Sequence, residues 1–364
     1  MSALGLIFSN IHDSNMPELT AKRTVASIPF GGRYRLIDFA LSNMVNSGIT
    51  KVGVITKSNY RSLMDHLGSG KDWDLARHHG GLFIIPPFEG QNGSLYTTRL
   101  EALKNVSGFL SKSEEDLVVM SDSDMVCNID FKPIIKEHAK RNADITLIYV
   151  GRNKNSIAKG AYLSIDDGRV TGISFDDNTG ENEYTNICVI GRAFLLNLIA
   201  EAVARGSNHF IKDVLQPRLK DLRIMGYKHD GYYEEMNSLQ KYYDESMKLL
   251  DADIRNQVLK KASVYTKVKD SSPTRYGDEA VVGNSLIADG CVVEGEVYDS
   301  VIFRGVKIGK GTVVRNCILM QNTITGEKVN MNCIITDKNV VVKDGRNLSG
   351  CENHPFFIAK GTVI

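Results

Sequence analysis

No stretch of this sequence carries the ~18 consecutive apolar residues that a membrane-crossing helix needs, so neither a helical membrane protein nor a membrane partner is expected. Charge of one sign is also missing. The chain has 44 Lys and Arg against 43 Asp and Glu, a net +1, which provides no basic field for a nucleic-acid backbone. Six cysteines are spread over 364 residues without a C-x-x-C pair. That spacing argues against a zinc site or a disulfide framework and suits buried, reduced thiols. The short apolar run at residues 3–8 has no basic residue before it and no small-residue cleavage site after it. A secretory signal is therefore not expected, and a cytoplasmic location is. The last scarcity is local: from Leu6 to Asn15 there is no glycine, although a phosphate loop built on backbone N–H groups needs residues that accept φ > 0.

What is present reads as two kinds of grammar. Leu4–Phe8, Val52–Ile55, Leu117–Met120 and Ile145–Val150 are short apolar runs typical of buried strands. Residues 36–46, 94–103 and 133–141 carry helical patterns between them, which predicts βαβ units, a Rossmann-like α/β fold and a mainly parallel sheet. Such sheets bind ligands outside the carboxyl ends of their strands. A last helical pattern runs over about 238–261. A Ser-, Pro- and Gly-bearing linker follows.

Beyond position 281 aliphatic residues recur every six positions: Ile287 and Val293; Ile302, Ile308, Val314 and Met320; Val329, Ile335 and Val341. This is the hexapeptide period of a left-handed parallel β-helix, with Gly, Asn and Asp such as Gly290, Gly309 and Asn316 at its corners. The expected organisation is an α/β domain over 1–262, a linker over 263–280 and a β-helix over 281–364.

The segment Phe30-Gly31-Gly32-Arg33-Tyr34-Arg35-Leu36-Ile37-Asp38-Phe39-Ala40-Leu41-Ser42-Asn43 closely resembles a signature of glucose-1-phosphate adenylyltransferases. Asn46-Ser47-Gly48-Ile49, Gly68-Ser69-Gly70-Lys71-Asp72-Trp73 and Ile85-Pro86-Pro87 extend the resemblance. It implies a nucleotidyltransferase domain that joins ATP to glucose 1-phosphate with loss of diphosphate, in glycogen biosynthesis. Aligned on Leu19-Thr20, the family's G-G-x-G-x-R phosphate loop falls on Asn10, Ile11, Asp13 and Asn15. Its phosphate-handling lysine falls on Val25. A β-branched residue, an added negative charge and two lost cations all oppose triphosphate binding.

The resemblance places the family's metal aspartates on Asp124 and Glu235, positions that would hold Mg²⁺ weakly or not at all, glutamate being one methylene longer. The nucleotide-contacting run falls on Thr98-Arg99-Leu100-Glu101-Ala102, the sugar-binding run on Tyr184-Thr185-Asn186, and the sugar-phosphate lysine near 175–178, where there is none. Lys212 and Asp213 keep part of a later substrate-binding pattern. Lys22, Arg23 and Arg35 match the family's effector cations, which suit a phosphorylated sugar, while Pro29 replaces an effector histidine.

The chain thus most resembles the GlgD-type regulatory subunit of the family. That resemblance implies an allosteric partner of a catalytic chain in a hetero-oligomer, expected to be a tetramer. The alternatives are an active adenylyltransferase with rebuilt phosphate contacts and a sugar- or nucleotide-binding module without an enzyme partner.

Overall fold

The computed structural model describes residues 1–87, 96–152, 160–175 and 180–364. Contacts divide the chain into two compact units. One comprises Met1–Ile11 and Phe39–Tyr233, the other His12–Asp38 and Glu234–Ile364. A linear division at 262 therefore misses two features: the segment His12–Asp38 and residues 234–262 both belong with the C-terminal unit.

The first unit is built on a sheet with nine strands among the described residues: β1 (Ala3–Phe8), β2 (Lys51–Ile55), β3 (Gly81–Ile85), β4 (Leu117–Asp122), β5 (Ile145–Gly151), β6 (Tyr162–Asp166), β7 (Arg169–Ser174), β8 (Asn182–Gly191) and β9 (Ile224–Lys228). Their order is β3-β2-β1-β4-β8-β5-β9-β7-β6. The run β3-β2-β1-β4 is parallel. All of β4 and all of β1 but its first residue are buried, which is why they read as unbroken apolar runs rather than alternating ones. β8 enters antiparallel to β4 and β5, making the other half of the sheet mixed. A bulge interrupts β8 between Tyr184 and Cys188, where Asn186 takes φ 61°. The helices Arg99–Asn105 and Arg192–Ala204 pack Leu100, Leu103, Leu195 and Leu198 into one core with Leu4, Leu6 and Val118.

In the second unit three five-stranded parallel sheets form the faces of a β-helix. Arg275–Tyr276, inside the expected linker, already pairs with Val292–Val293. Val282, Val297, Val314, Met331 and Leu348 stack in one column, so that the first coil repeats after 15 residues and the next three after 17. A strict sixfold count drifts against such coils. Leu319 and Thr336 accordingly take the column of Ile302, and Val342 that of Val293, where Met320, Ile335 and Val341 were expected. At one corner Asn284, Asp299, Asn316 and Cys333 all take positive φ, and at the next Gly290, Gly305, Asn322 and Asn339 do. Each coil thus spends one left-handed residue per turn there, the conformation that Gly and Asn adopt at least cost.

The helical pattern over 238–261 is broken into Leu239–Lys248 and Ala252–Leu259. The Asp251 carboxylate accepts from the N–H groups of Asp253 and Ile254 and so starts a new helix. The Tyr243 hydroxyl donates to the Asn316 carbonyl at 2.8 Å, tying the first of these helices to a coil corner.

Two glycines separate crowding from backbone strain. A Cβ on Gly309 would run into the carbonyl oxygen of Gly326, whereas one on Gly345 (φ 67°) meets nothing within 4 Å. Gly309→Ala is expected to lower unfolding stability by about 3 kcal/mol, since backbone must shift. Gly345→Ala should cost about 1 kcal/mol of left-handed strain alone. Urea unfolding of both variants checks the difference.

Candidate functional site

The loop after β1 is where a phosphate cradle would lie. In the first unit the Ser9 hydroxyl lies 2.7 Å from both the Ile55 carbonyl and Asn10 Oδ1 and shares its one proton between these acceptors. The Asn10 amide donates to Ser58 O at 3.0 Å, and Asn10 Oδ1 accepts from the Lys57 N–H at 3.0 Å. Asn10 is buried and Ile11 packs on the core. In the second unit Asp13 Oδ1 accepts the Val25 N–H at 2.8 Å, and the Asp13 carbonyl accepts the Thr20 hydroxyl at 2.7 Å. Asn15 closes the short 3₁₀ turn Asp13–Asn15 and is exposed. No residue from 9 to 15 takes a positive φ. The polar groups here bind one another and neighbouring backbone, and the geometry that presents successive N–H groups to phosphate is not adopted.

At the carboxyl ends of β1 and β4, Phe8 and Asp122 are register partners. Arg99 sits over this floor. Its Nη2 lies 2.6 Å from Asp122 Oδ2, its Nη1 donates to the Asn186 carbonyl at 3.2 Å, and its guanidinium is 5.0 Å from the Phe8 ring centroid. A capping box fixes the helix that begins with Arg99: the Thr98 hydroxyl accepts the Glu101 N–H, and the Glu101 carboxylate accepts the Thr98 N–H. Burial works against the charge of Arg99, and Asp122 outweighs it, so the guanidinium is held firmly protonated. The sugar-binding run is likewise engaged internally: the Thr185 hydroxyl donates to Ile148 O at 2.8 Å, and the Tyr233 hydroxyl to Thr185 O at 3.1 Å.

Of the expected metal positions, Asp124 is buried just beyond β4 in the first unit, where the preceding Ser123 hydroxyl donates to Phe8 O at 2.9 Å. In the second unit Glu235 lies with its carboxylate within 4.8 Å of a ring nitrogen of His12, a neighbour that the family alignment does not point to. An imidazole beside one position, and an arginine on the carboxylate two residues before the other, are a poor donor set for Mg²⁺, which favours oxygen ligands. Lys212 and Asp213 are both exposed. The Asp213 carboxylate accepts the N–H groups of His209 and Asn208 at 2.8 and 2.9 Å, bonds that lower its pKa. Residues 176–178 lie outside the described residues.

The expected effector cations lie in the second unit. Lys22 is exposed and Arg35 half-buried. Arg23 is 2% exposed, and its Nη2 contacts both Asp337 oxygens at 2.7 and 2.8 Å, while Nη1 is buried without a hydrogen-bond partner. Around this pair the sequence offers two cations that no motif pointed to, Lys338 and Lys269. Burial, then the charges of Arg35 and Arg23, push the Lys338 pKa down to about 6, with Asp337 opposing. Burial, then Arg304 and Arg35, lower that of Lys269. Arg304 itself pairs with Asp289 at 2.9 Å. Asp337 and Asp289 thus share this region with Arg23, Arg35, Arg304, Lys267, Lys269 and Lys338, and Arg23 Nη1 has no hydrogen-bond partner among the described residues. Pro29, which replaces the effector histidine, gives its carbonyl to the Tyr242 hydroxyl at 2.7 Å.

A sheet with internally satisfied ligand loops, followed by hexapeptide coils, defines a class. The nucleotidyl transferase family profile matches residues 14–252 and the GlmU-like C-terminal hexapeptide profile residues 268–353; the chain belongs to the nucleotidyl transferase family. Within it, the chain is similar to the glycogen biosynthesis protein GlgD of Bacillus subtilis (strain 168), with 36% identity over 99% of this chain and 96% of that protein. It is 39% identical to the GlgD protein of Geobacillus stearothermophilus over the same shares. With the glucose-1-phosphate adenylyltransferase of Halalkalibacterium halodurans it shares 30% identity over 85% of this chain and 83% of that one. The resemblance read from residues 30–43 is borne out. Among the described residues no helix is long and apolar enough to cross a membrane.

Lys338 sets a pH dependence. Its native pKa of about 6 lies below the ordinary 10.5, so between these values the unfolded chain binds more protons and stability rises with pH. Below pH 6 the lysine is charged in both states and its burial costs most. Lys338→Met is expected to be stabilising near pH 6, with the gain shrinking towards pH 10. Melting temperatures of both proteins across that range check it.

Proposed function

We propose that this protein is a regulatory subunit of a glucose-1-phosphate adenylyltransferase in glycogen biosynthesis, with little or no catalysis of its own. The observation that carries the reading is the internal closure of the loop from Ser9 to Asn15. Asn10 is tied to Lys57 and Ser58, and Asp13 to Val25, so the triphosphate cradle is replaced by structure-holding bonds. The names of the similar proteins supply the pathway, and the adenylyltransferase relatives the chemistry of the partner.

In this reading the chain joins a catalytic adenylyltransferase chain in a cytoplasmic hetero-oligomer, a tetramer in the simplest case, and biases the catalytic site towards a competent state. Arg23, Arg35 and Lys22, with Lys269 and Lys338 beside them, take a phosphorylated sugar through charge-assisted hydrogen bonds. Such an effector must bind the two states of the assembly differently. Mg²⁺ is held weakly or not at all. The second reading, an active enzyme with rebuilt contacts, draws on Asp124, which keeps an acidic side chain beyond the end of β4.

The chain alone, given ATP, glucose 1-phosphate and Mg²⁺, is expected to release no measurable diphosphate. Co-expressed with a catalytic chain it should co-elute and change that chain's kcat or KM, and Arg35→Ala should weaken any response to sugar phosphates. Robust turnover alone would favour the second reading. Separate elution with unchanged kinetics would leave a binding module without an enzyme partner.

A further inference from the structure

Arg99 breaks a local rule. It is the first residue of a helix, where the backbone dipole disfavours a cation, and its side chain is only 10% exposed. Positions that oppose local preference in this way often carry function. Its surroundings are the floor on which an open α/β sheet places its ligand: the last residues of two adjacent parallel strands, Phe8 and Asp122, and the bulge of β8 at Asn186. One side chain touches all three, as cation over ring, as ion pair and as donor to a carbonyl.

We propose that the Arg99 guanidinium is the resident cation of this cleft, occupying at Asp122 the space and the charge that a metal-bound nucleoside triphosphate would require. Asp122 and Asp124 are both buried acids two positions apart, an arrangement that calls for a counter-cation. In this chain the cation is covalently attached. Held by Asp122 and the Asn186 carbonyl, the guanidinium neutralises Asp122, and its charge repels a divalent ion approaching either acid. The base and sugar of a nucleotide would further have to displace it from the Phe8 ring and the Asn186 carbonyl. Exclusion of the ligand is then an active property of one side chain, separate from the loss of the phosphate loop and independent of whether the chain has a catalytic partner.

The full-length chain, Arg99→Ala, Arg99→Gln and the double variant Arg99→Ala/Asp122→Asn are titrated with Mn²⁺–ATP, the free ion being followed by electron paramagnetic resonance. Arg99→Ala is expected to bind at least tenfold more tightly than the native chain, and the double variant to lose that gain. Added methylguanidinium, which refills the vacated place, should compete with Mn²⁺–ATP in Arg99→Ala and have no effect on the native chain. Arg99→Gln keeps a hydrogen-bond donor for Asp122 without the charge, so it carries the same expectation should the alanine variant not fold. Affinity unchanged or weaker in the folded variants overturns the proposal. A gain that methylguanidinium does not suppress in Arg99→Ala, or that survives in the double variant, reflects general loosening of the cleft and overturns it as well.

Discussion

The contact between Arg23 and Asp337 joins residues 314 positions apart in a buried, two-pronged ion pair. Removing one partner of such a pair characteristically costs about 3–5 kcal/mol, because the other charge is left buried and uncompensated. The organisation of the second unit follows from it. The segment His12–Asp38 belongs to the same compact unit as the β-helix coils. That segment also contains Asp13 and Val25, whose mutual hydrogen bond therefore lies in the unit that carries the basic cluster.

The two units use charge in opposite ways. Beneath Arg99 a carboxylate and a guanidinium cancel one another. Around Lys338 the cations outnumber the acids, and burial makes the imbalance costly enough to drive a lysine towards its neutral form. In the first unit the ion pair at the carboxyl ends of β1 and β4 is balanced, and in the second unit the basic cluster is not. An anion could relieve the second imbalance; it would disrupt the first.

The strands of the parallel half of the sheet were legible because residues buried on both faces must be apolar throughout, as Leu117–Met120 and Ile145–Val150 are. The β-helix was legible from its aliphatic period, though only until coils of 17 residues carried Met320, Ile335 and Val341 out of phase with a sixfold count. The helix boundary at Asp251 was missed because its capping oxygen outweighs an otherwise continuous helical pattern. In the site, Asn10, Asp13 and Val25 stood out by departure from the family pattern. Arg99 lay within a quoted segment, but nothing local announces that a helix-starting arginine will reach a carboxylate on β4. Asp337 and Lys338 sit beside a coil corner with no motif, and their association with Arg23 exists only in three dimensions.

The interleaving of the two units also sets an order of events at the ribosome. The sheet of the first unit closes once Ile224–Lys228 has been made, whereas the segment around Arg23, among the first residues synthesised, has its partner coil only when Asp337 emerges. At ~5–20 residues per second, that delay is roughly 15–60 s. Throughout it an early segment whose Arg23 is destined for burial must wait in solvent or with a chaperone. The fold thus leaves the surroundings of Arg23 unformed until nearly the whole chain exists, and a prematurely terminated product would lack an assembled basic cluster.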